Sequence, residues 1–369
     1  MKMSVKTAEL SRALYRVQGV ADKKSTMPIL AHVLLDATET GLKVSATDLD
    51  VGLTGTYEAQ IVKPGAVAIH ARQLYEIVKS LTNDDIQLER QDNHWVELKS
   101  GTSRFRPVWM AADQFPALPS QQPNTKTFAI PSAVLGSMIE RTIFCVSTDD
   151  NRHNLSGIYC ESPAPKTLRM VATDGHRLAM CERTFDVEIP ITSGVIVPRK
   201  GFQELRRVLA DDKDAEVQLG FSQSNGILKT GSVELSTRLV EGSFPDYKAV
   251  VPKQGSKIAK IHRGALAEAL KRVSLLSSGR ANGVRLTFND KRLDLKAEDP
   301  EFGEANETID IDYMGGELTI GFNARYILDV LALIPNDGVM FELSDDLSPG
   351  VVKPIEDAGF LAVVMPMRI

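Results

Sequence analysis

One pattern occurs three times along the chain, and this repeat restricts the possible folds more than any other feature. A strand-like run ends in an acidic turn at Val44–Asp48, at Val171–Asp174 and at Leu295–Asp299. The final aspartates of the three runs are 126 and then 125 residues apart. Self-similarity at a fixed period indicates a fold built from copies of one structural unit.

A second landmark keeps the same period. Leu74, Phe202 and Tyr326 occupy equivalent places in three helical patterns that each follow a short apolar strand. Each unit also opens with an amphipathic helix. The patterns predict six helices, at 4–18, 71–81, 132–144, 199–209, 263–273 and 323–334. Strands rich in Val, Ile and Thr lie between them, so each unit is predicted to be α+β, with two helices packed on antiparallel sheets.

Polar segments containing proline or glycine separate the units at 121–124 and 252–255. We therefore expect three domains, at 1–122, 123–253 and 254–369. The length supports this division, because 369 residues are too many for one compact core.

The composition, with 43% apolar and 25% charged residues, is typical of a globular protein. No apolar run approaches the roughly 18 residues of a membrane span, and the start of the chain has no signal-peptide pattern. Cys145, Cys160 and Cys181 lack CxxC spacing. We expect a cytoplasmic protein with reduced, mostly buried thiols.

The formal net charge of −5 is unevenly distributed. The six predicted helices carry +8, which leaves −13 on the strands and loops. An acidic protein with basic helices can bind DNA on its helical face and repel it elsewhere. Few aromatic residues accompany the basic ones, which favours contact with phosphates over recognition of bases. The alternative is that these charges only solvate helix faces.

The sequence contains no complete catalytic or metal-binding motif. Phosphate-loop and dinucleotide-binding motifs are absent, and the six histidines lack metal-ligand spacing. Asp174 and His176 could serve acid–base catalysis, so a hydrolase is one alternative. The other is a turn in which Asp174 bonds the backbone and Gly175 supplies a positive φ. We favour the turn, with no cofactor and no metal, because no nucleophile is placed beside the pair.

Several further motifs occur together: Met27–Leu30, Thr173–Ala179, Val195–Gly201, Phe244–Tyr247 and Met365–Arg368. Taken over the whole chain, they resemble the β sliding clamp, the beta subunit of bacterial DNA polymerase III. The resemblance implies a head-to-tail homodimer that forms a ring of six similar domains, three clamp domains per chain. The ring would encircle duplex DNA and bind it independently of its sequence.

Such a ring would be a non-catalytic processivity factor in DNA replication. Its implied partners are the polymerase III alpha subunit, the delta subunit of the clamp loader and other proteins with a clamp-binding motif, and no membrane. The other open alternative is a repeat scaffold that binds no DNA and only displays a groove formed by the C-terminal tail.

In this family, partner peptides bind a hydrophobic groove between the second and third domains. The resemblance maps this groove onto Leu155, Thr173, Gly175, His176, Arg177, Leu178, Pro245, Val250, Asn323, Tyr326, Val363, Val364, Met365, Pro366, Met367 and Arg368. Ala249 replaces an arginine of one family pattern, which removes a polar contact at the groove rim. The apolar, Met-containing tail itself indicates either a closing strand or a groove lining.

The resemblance places DNA contacts at Lys24, Arg152, Arg199 and Lys200. His153 and Asn154 stand where some members have two tyrosines. The dimer interface is expected to have an apolar core of Phe105, Leu275 and Leu276, with Arg104 paired to Glu301, Glu304 or Glu307 of the other chain.

Overall fold

The computed structural model describes residues 1–22, 25–118, 125–149, 151–210, 215–252, 255–277 and 282–368. The predicted DNA contact Lys24 lies outside these residues. All six predicted helices are present, and their ends differ from the prediction by at most three residues. The largest difference at a helix start concerns residues 4–6, which belong to a strand.

The first repeat contains β1 (Lys2–Lys6), α1 (Thr7–Val17), β2 (His32–Thr38), β3 (Gly41–Thr47), β4 (Val51–Tyr57), β5 (Gln60–Lys63), β6 (Gly65–His70), α2 (Ala71–Ser80), β7 (Asp85–Arg90), β8 (Val96–Ser100), β9 (Ser103–Phe105) and β10 (Trp109–Met110). The second contains β11 (Thr127–Pro131), α3 (Ser132–Ile143), β12 (Gly157–Ala164), β13 (Thr167–Thr173), β14 (Arg177–Thr184), β15 (Val195–Pro198), α4 (Arg199–Leu209), β16 (Glu216–Phe221), β17 (Asn225–Thr230) and β18 (Val233–Arg238). The third contains β19 (Lys257–His262), α5 (Arg263–Val273), β20 (Gly283–Asn289), β21 (Arg292–Asp299), β22 (Gly303–Asp310), β23 (Leu318–Asn323), α6 (Ala324–Leu331), β24 (Gly338–Leu343), β25 (Gly350–Pro354) and β26 (Phe360–Val364).

The three repeat aspartates make the same turn. Asp48 Oδ1 accepts hydrogen bonds from the backbone N–H groups two and three residues further on, at 3.0 and 2.6 Å. Asp174 Oδ1 does the same at 3.0 Å for both bonds, and Asp299 Oδ1 at 2.8 and 3.1 Å. This local bonding is why an aspartate is suited to the end of each strand-like run. The repeat read from the sequence is therefore a structural repeat.

Two of the four sheets join consecutive repeats. In the nine-stranded sheet, whose order is β10-β6-β2-β3-β4-β18-β17-β16-β11, β4 of the first repeat pairs antiparallel with β18 of the second. In the eight-stranded sheet, whose order is β15-β12-β13-β14-β26-β25-β24-β19, β14 of the second repeat pairs with β26 of the third. The other two sheets have the orders β5-β1-β7-β8-β9 and β22-β21-β20-β23.

The chain divides into two compact units. One combines Met1–Gly136 with Val197–Leu239, and the other combines Ser137–Ile196 with Val240–Ile369. This division separates the halves of the second repeat, because each half shares a sheet with a neighbouring repeat. The domain boundaries predicted from the sequence concern the repeats and stay a prediction.

The helices bury their apolar faces within these units. Phe202 and Leu205 of α4 are 1% exposed, and Leu74 of α2 is fully buried. Asn323 caps α6, because its Oδ1 accepts hydrogen bonds from the N–H groups of Arg325 and Tyr326.

Candidate partner groove and nucleic-acid interface

An apolar pocket of about 130 Å³ lies in the second compact unit, and we call it the partner groove. It is lined by Leu155, Thr173, Gly175, Arg177, Leu178, Pro245, Tyr247, Val250, Val363 and Met365. Nine of these ten are residues that the resemblance assigned to the groove. A concave, mostly apolar site with a few polar groups suits a short peptide segment.

The pairing of β14 with β26 forms the floor of the groove. Leu178 lies opposite Val363 in this antiparallel pair. Since neighbouring side chains on a strand point to opposite faces, Val363 and Met365 reach the groove while Val364 does not. Val364 is 1% exposed, and Met365, just beyond the strand, is 38% exposed. The tail therefore both completes a sheet and lines the groove.

The aspartate turn at 173–177 forms the rim. Thr173 Oγ1 donates to Arg177 O at 2.7 Å and accepts from Gly175 N at 3.1 Å. Gly175 has a φ of +88°, which a residue with a side chain rarely adopts. Arg152 Nη1 donates to Asp174 O at 3.1 Å, so a predicted DNA contact also supports this rim.

The turn also explains the pair of Asp174 and His176. The Asp174 carboxylate accepts two backbone N–H groups and the Nε of Arg177, at 3.1 Å. Its oxygens are thus used to hold a turn, as the sequence favoured. Cys145 does not supply a nucleophile here, because burial raises the pKa of its thiol well above the usual range.

Arg177 is bonded within the chain on several sides. Its Nη1 donates to Asp329 Oδ2 at 2.6 Å, and its Nη2 donates to Phe144 O at 2.9 Å. The guanidinium lies 4.5 Å from the centroid of the Tyr326 ring. The side chain is 12% exposed. Arg177 therefore holds α6 and the end of α3 against the rim.

Seven residues mapped to the groove do not line the pocket: His176, Asn323, Tyr326, Val364, Pro366, Met367 and Arg368. His176 accepts a backbone bond from Met365 N at 2.9 Å through its carbonyl oxygen, and its side chain is exposed. The Asn323 side chain is used as the helix cap of α6.

Tyr247 lines the groove and was not among the residues assigned from the sequence. It is 5% exposed and packs in one cluster with Leu178 and Val363. It belongs to the Phe244–Tyr247 motif, which offered a signal, but only Pro245 and Val250 of that region were assigned. The burial of the ring depends on distant strands, which local sequence does not show.

The predicted DNA contacts differ in how their charges are used. Lys200 Nζ lies 2.5 Å from Asp48 Oδ2 and donates to Val20 O at 3.0 Å. Arg199 is half-buried, and in the described part of the chain its Nε has no hydrogen-bond partner. Arg152 is more open, with 48% of its side chain exposed. Their role toward DNA stays a prediction.

The residues expected at the dimer interface lie on two strand edges and beside α5. Glu97, on β8, is surrounded by Lys99, Arg104 and Arg106. Hydrogen bonds from Lys99 and then Arg104 lower the pKa of Glu97 to about 2. Arg104 is thus paired inside the chain, and its expected partners Glu304 and Glu307 pair with Lys296 and Arg272.

The apolar residues expected there are partly open. Leu275 is 80% exposed, and Phe105 and Leu276 are half-buried. Phe302, at the start of the β22 edge, is 74% exposed. Large apolar side chains as exposed as Leu275 and Phe302 are candidates for a contact surface.

Cys145, Cys160 and Cys181 are buried free thiols, as expected. Groups of three or more residues able to hold a metal do not occur in the described ranges. Within those same ranges, no helix is long and apolar enough to cross a membrane.

Three repeats joined edge to edge, together with a small apolar groove, define a clamp-like architecture. Three family models match the chain, namely the DNA polymerase III beta subunit N-terminal domain at residues 1–119, its central domain at 129–246 and its C-terminal domain at 248–368. The chain belongs to the DNA polymerase III beta subunit family, the bacterial sliding clamps.

Individual relatives agree over the full length. The beta sliding clamp of Pseudomonas aeruginosa is 38% identical and that of Escherichia coli 35% identical, each with 100% of both chains covered. A crystal structure of the P. aeruginosa clamp bound to griselimycin is similar, with a TM-score of 0.94 at 37% identity over 100% of both chains. The Thermotoga maritima beta subunit gives a TM-score of 0.94 at 29% identity, covering 100% of this chain and 99% of that one.

Proposed function

We propose that this chain is a DNA polymerase processivity factor, a non-catalytic ring that encircles duplex DNA and tethers its polymerase through the partner groove. The observation that carries the proposal is the edge-to-edge joining of consecutive repeats, which leaves β9 and β22 as edge strands of their sheets in the described part of the chain. A closed ring cannot leave DNA sideways. Its contacts with DNA can therefore be weak enough for sliding.

The strand pairings that join consecutive repeats inside the chain indicate how two chains would close a ring. β4 and β14 each follow an aspartate turn, and each pairs with the final strand of the next repeat, β18 or β26. β22 also follows such a turn but is an edge strand, and β9 is the edge strand at the other end of the series. Unpaired edges favour strand addition. Pairing of β22 with β9 of a second copy would repeat the same joint in a head-to-tail dimer.

The two joints also give the register of this contact. Val51 and Arg177 lie three residues after Asp48 and Asp174, and they pair with Thr237 and Val364. Thr237 lies six residues after Gly231, the glycine that precedes β18, and Val364 lies five residues after Gly359, the glycine that precedes β26. The equivalent residues for the contact between copies are Asp299, whose turn precedes β22, and Gly101, which precedes β9. The same offsets from these two residues place Arg104 opposite Glu304 or Ala305 of the second copy.

The charges on the two edges are complementary. Near β9, three bases surround the single carboxylate of Glu97, which leaves a positive surplus. On the other edge, Glu304 and Glu307 pair with Lys296 and Arg272, and Glu298, which shares Lys296, and Glu301 add further carboxylates, which leaves a negative surplus near β22. Opposite charges facing each other across paired strands stabilise the pairing and select the correct partner. Leu275 and Phe302 would be covered in the same contact.

DNA would be held through its phosphates. Arg72 and Arg325 are exposed on α2 and α6, in addition to Arg152 and the half-buried Arg199. Scattered cations with few aromatic neighbours suit contact that is independent of sequence and weakens with salt. Lys200 pairs with Asp48 at 2.5 Å and Arg152 pairs with Asp149 at 3.5 Å, so both offer a reduced charge. Arg152 has the longer ion pair and the more exposed side chain, 48% against 36%, so we give Arg152 and Arg199 a larger share than Lys200.

The groove would take short peptide segments containing a glutamine with leucine or phenylalanine. The binding partners expected at this groove are the polymerase III alpha subunit, the delta subunit of the clamp loader and other proteins with a clamp-binding motif. The Ala249 substitution at the rim would favour peptides that depend on apolar contacts. The protein would work in the cytoplasm at the nucleoid.

The test is retention on circular DNA. The chain is loaded by a clamp loader onto a nicked circle and separated from free protein by gel filtration. We expect it to stay with the circle at salt concentrations that remove ordinary DNA-binding proteins, and to be lost once a restriction enzyme linearises the circle. Equal retention of the protein on circular and linear DNA, or retention on neither, would exclude a topological clamp.

A further inference from the structure

One wall of the partner groove is an irregular segment, residues 242–251. It contributes Pro245 and Val250 to the pocket. Its only regular element is a short 3-10 turn at Tyr247–Ala249, and it forms no strand in any of the four sheets. Val250 N and Val251 N both bond to Tyr247 O at 3.1 Å. With so few backbone bonds to neighbouring elements, the position of this wall depends on side-chain contacts.

Tyr247 makes the strongest of these contacts. Its hydroxyl donates to the Glu161 carboxylate and accepts from Arg169 Nη1 at 2.9 Å. Its ring, 5% exposed, packs with Leu178 and Val363 on the groove floor. Burial, with the hydrogen bond to Glu161, raises the pKa of Tyr247 to about 12, so the hydroxyl remains a donor at neutral pH.

Arg169 links this hydroxyl to three neighbouring strands. It lies on β13, where the register places it opposite Glu161 of β12 and Glu182 of β14. Its Nη1 donates to Glu161 at 3.0 Å and its Nε donates to Glu182 at 2.7 Å. A guanidinium suits this position because its planar fork reaches several acceptors at once. The hydroxyl of Tyr247 is therefore bound to a rigid part of the sheet.

The start of the segment is held separately. The Phe244 ring stacks on Tyr159 of β12, with 4.9 Å between centroids and 9° between planes. Asn154 Nδ2 donates to Ser243 O at 3.2 Å. These contacts fix one end of the wall, and the bonds of Tyr247 fix its middle.

We propose that Glu161, Arg169 and Tyr247 form a wall tether that keeps the partner groove open for peptides. The inference rests on the proposed peptide-binding function of the groove. Their polar atoms are used within the protein, so they act as positioning residues. If the wall is released, only a fraction of molecules has a competent groove, and the apparent Kd rises by the inverse of that fraction.

The decisive variant is Tyr247→Phe, which keeps the ring on the groove floor and removes the hydroxyl. The probe is a short fluorescent peptide containing glutamine, leucine and phenylalanine. We expect about a fivefold to tenfold weaker Kd, mainly from slower association, because the competent state must be reached before binding. Amide exchange at Val250 and Val251 should become faster, which a purely global loss of stability would not confine to this segment.

Tyr313→Phe is the matched control. Tyr313 is a buried tyrosine of the same compact unit, 1% exposed, and its hydroxyl donates to Gly316 O at 2.7 Å. It does not line the groove. Its variant should bind the peptide with wild-type affinity, although it loses the same chemical group.

Arg169→Lys provides a second variant, since lysine keeps the charge but cannot bridge the acceptors. Combined with Tyr247→Phe, it should add little further loss, because both changes break one network. Wild-type affinity and exchange in both variants would overturn the tether, provided that Met365→Ala, which changes the groove lining itself, still weakens binding. If the wild-type chain bound no peptide, the groove assignment would fail, and the tether with it.

Discussion

The Arg177 guanidinium makes hydrogen bonds to Asp174, Asp329 and the carbonyl oxygen of Phe144. The resemblance assigned Arg177 to the partner groove. With most of its donors directed into the protein, its main effect is to fix the rim turn relative to α6. A half-buried arginine in such a network is costly to replace, because each acceptor left behind loses a charged hydrogen bond.

Arg177→Lys tests this role at the residue scale. Lysine retains the charge but cannot reach three acceptors in different directions. We expect peptide affinity to fall about tenfold and the free energy of unfolding to fall by about 1–3 kcal/mol. Fluorescence anisotropy and thermal unfolding measure the two effects. Arg325→Lys, on the exposed side of α6, is the control, and an equal effect of both variants would contradict the assignment.

A second residue, Asp357, links the loop before β26 to α3 and β14. Its Oδ2 accepts hydrogen bonds from Arg141 and from Arg183, the latter at 2.6 Å. Burial alone would raise the pKa of Asp357, but the hydrogen bond from Arg141 and the charge of Arg183 outweigh it and lower this pKa. A lowered folded-state pKa means that the ionised form stabilises the fold.

Asp357→Asn should therefore lower the free energy of unfolding by about 1–2 kcal/mol at pH 7. The folded-state pKa lies below the unfolded value of about 4. The difference from wild type should persist down to that pH and shrink as the pH falls further, through the folded-state pKa. Urea unfolding at several pH values measures it. A difference that did not change with acidification would show that the carboxylate charge is not the cause.

At the scale of elements, β26 serves the fold and the groove with alternate side chains. Val364 is buried in the core, whereas Val363 and Met365 line the groove. Beyond the strand, the tail is held by Met365 N bonded to His176 O and Met367 N bonded to Gly321 O, both at 2.9 Å. Loss of these two bonds leaves every strand of the sheet intact.

Deletion of residues 365–369 should thus remove peptide binding while the protein stays folded. The loss of the Met365 side chain and of the tail contacts should weaken the affinity by at least about tenfold. Deletion of residue 369 alone is the control, since it keeps Met365, Arg368 and both backbone bonds. A five-residue truncation that bound the peptide normally would show that the groove lies elsewhere.

At the scale of the whole molecule, the expected contact between copies can be tested by exchanging charges. Arg104→Glu faces the acidic edge of the partner with a like charge, so dimers should dissociate at concentrations where the wild type is dimeric. Adding Glu304→Arg restores an opposite pair and should recover at least part of the affinity. Sedimentation velocity measures the dimer fraction.

Lys43→Glu, an exposed charge reversal on β3, is the control for net charge. It should leave the dimer unchanged. The rescue by the second substitution separates the proposed pairing from simple damage to β9. Failure of the double variant to form more dimer than Arg104→Glu would contradict the register derived from the two internal joints.

Local sequence was sufficient to predict the repeat, the six helices and the aspartate turns. Each depends on residues close together in the chain: a helical face repeats every three or four positions, and the Asp174 carboxylate bonds N–H groups two and three residues away. The family resemblance added most of the groove lining. These features could be predicted because their physical cause is local or their motif is specific.

The tertiary structure decided which of these side chains are bonded or buried within the protein and which can contact a partner. Lys200 pairs with Asp48, 152 residues away, and Tyr247 bonds Glu161, 86 residues away. Val364 is in the core while Met365 reaches the groove, because the pairing of β14 with β26 fixes which face each side chain occupies. Contacts between residues so distant in the chain depend on sheet register and packing, which no local pattern of residues specifies.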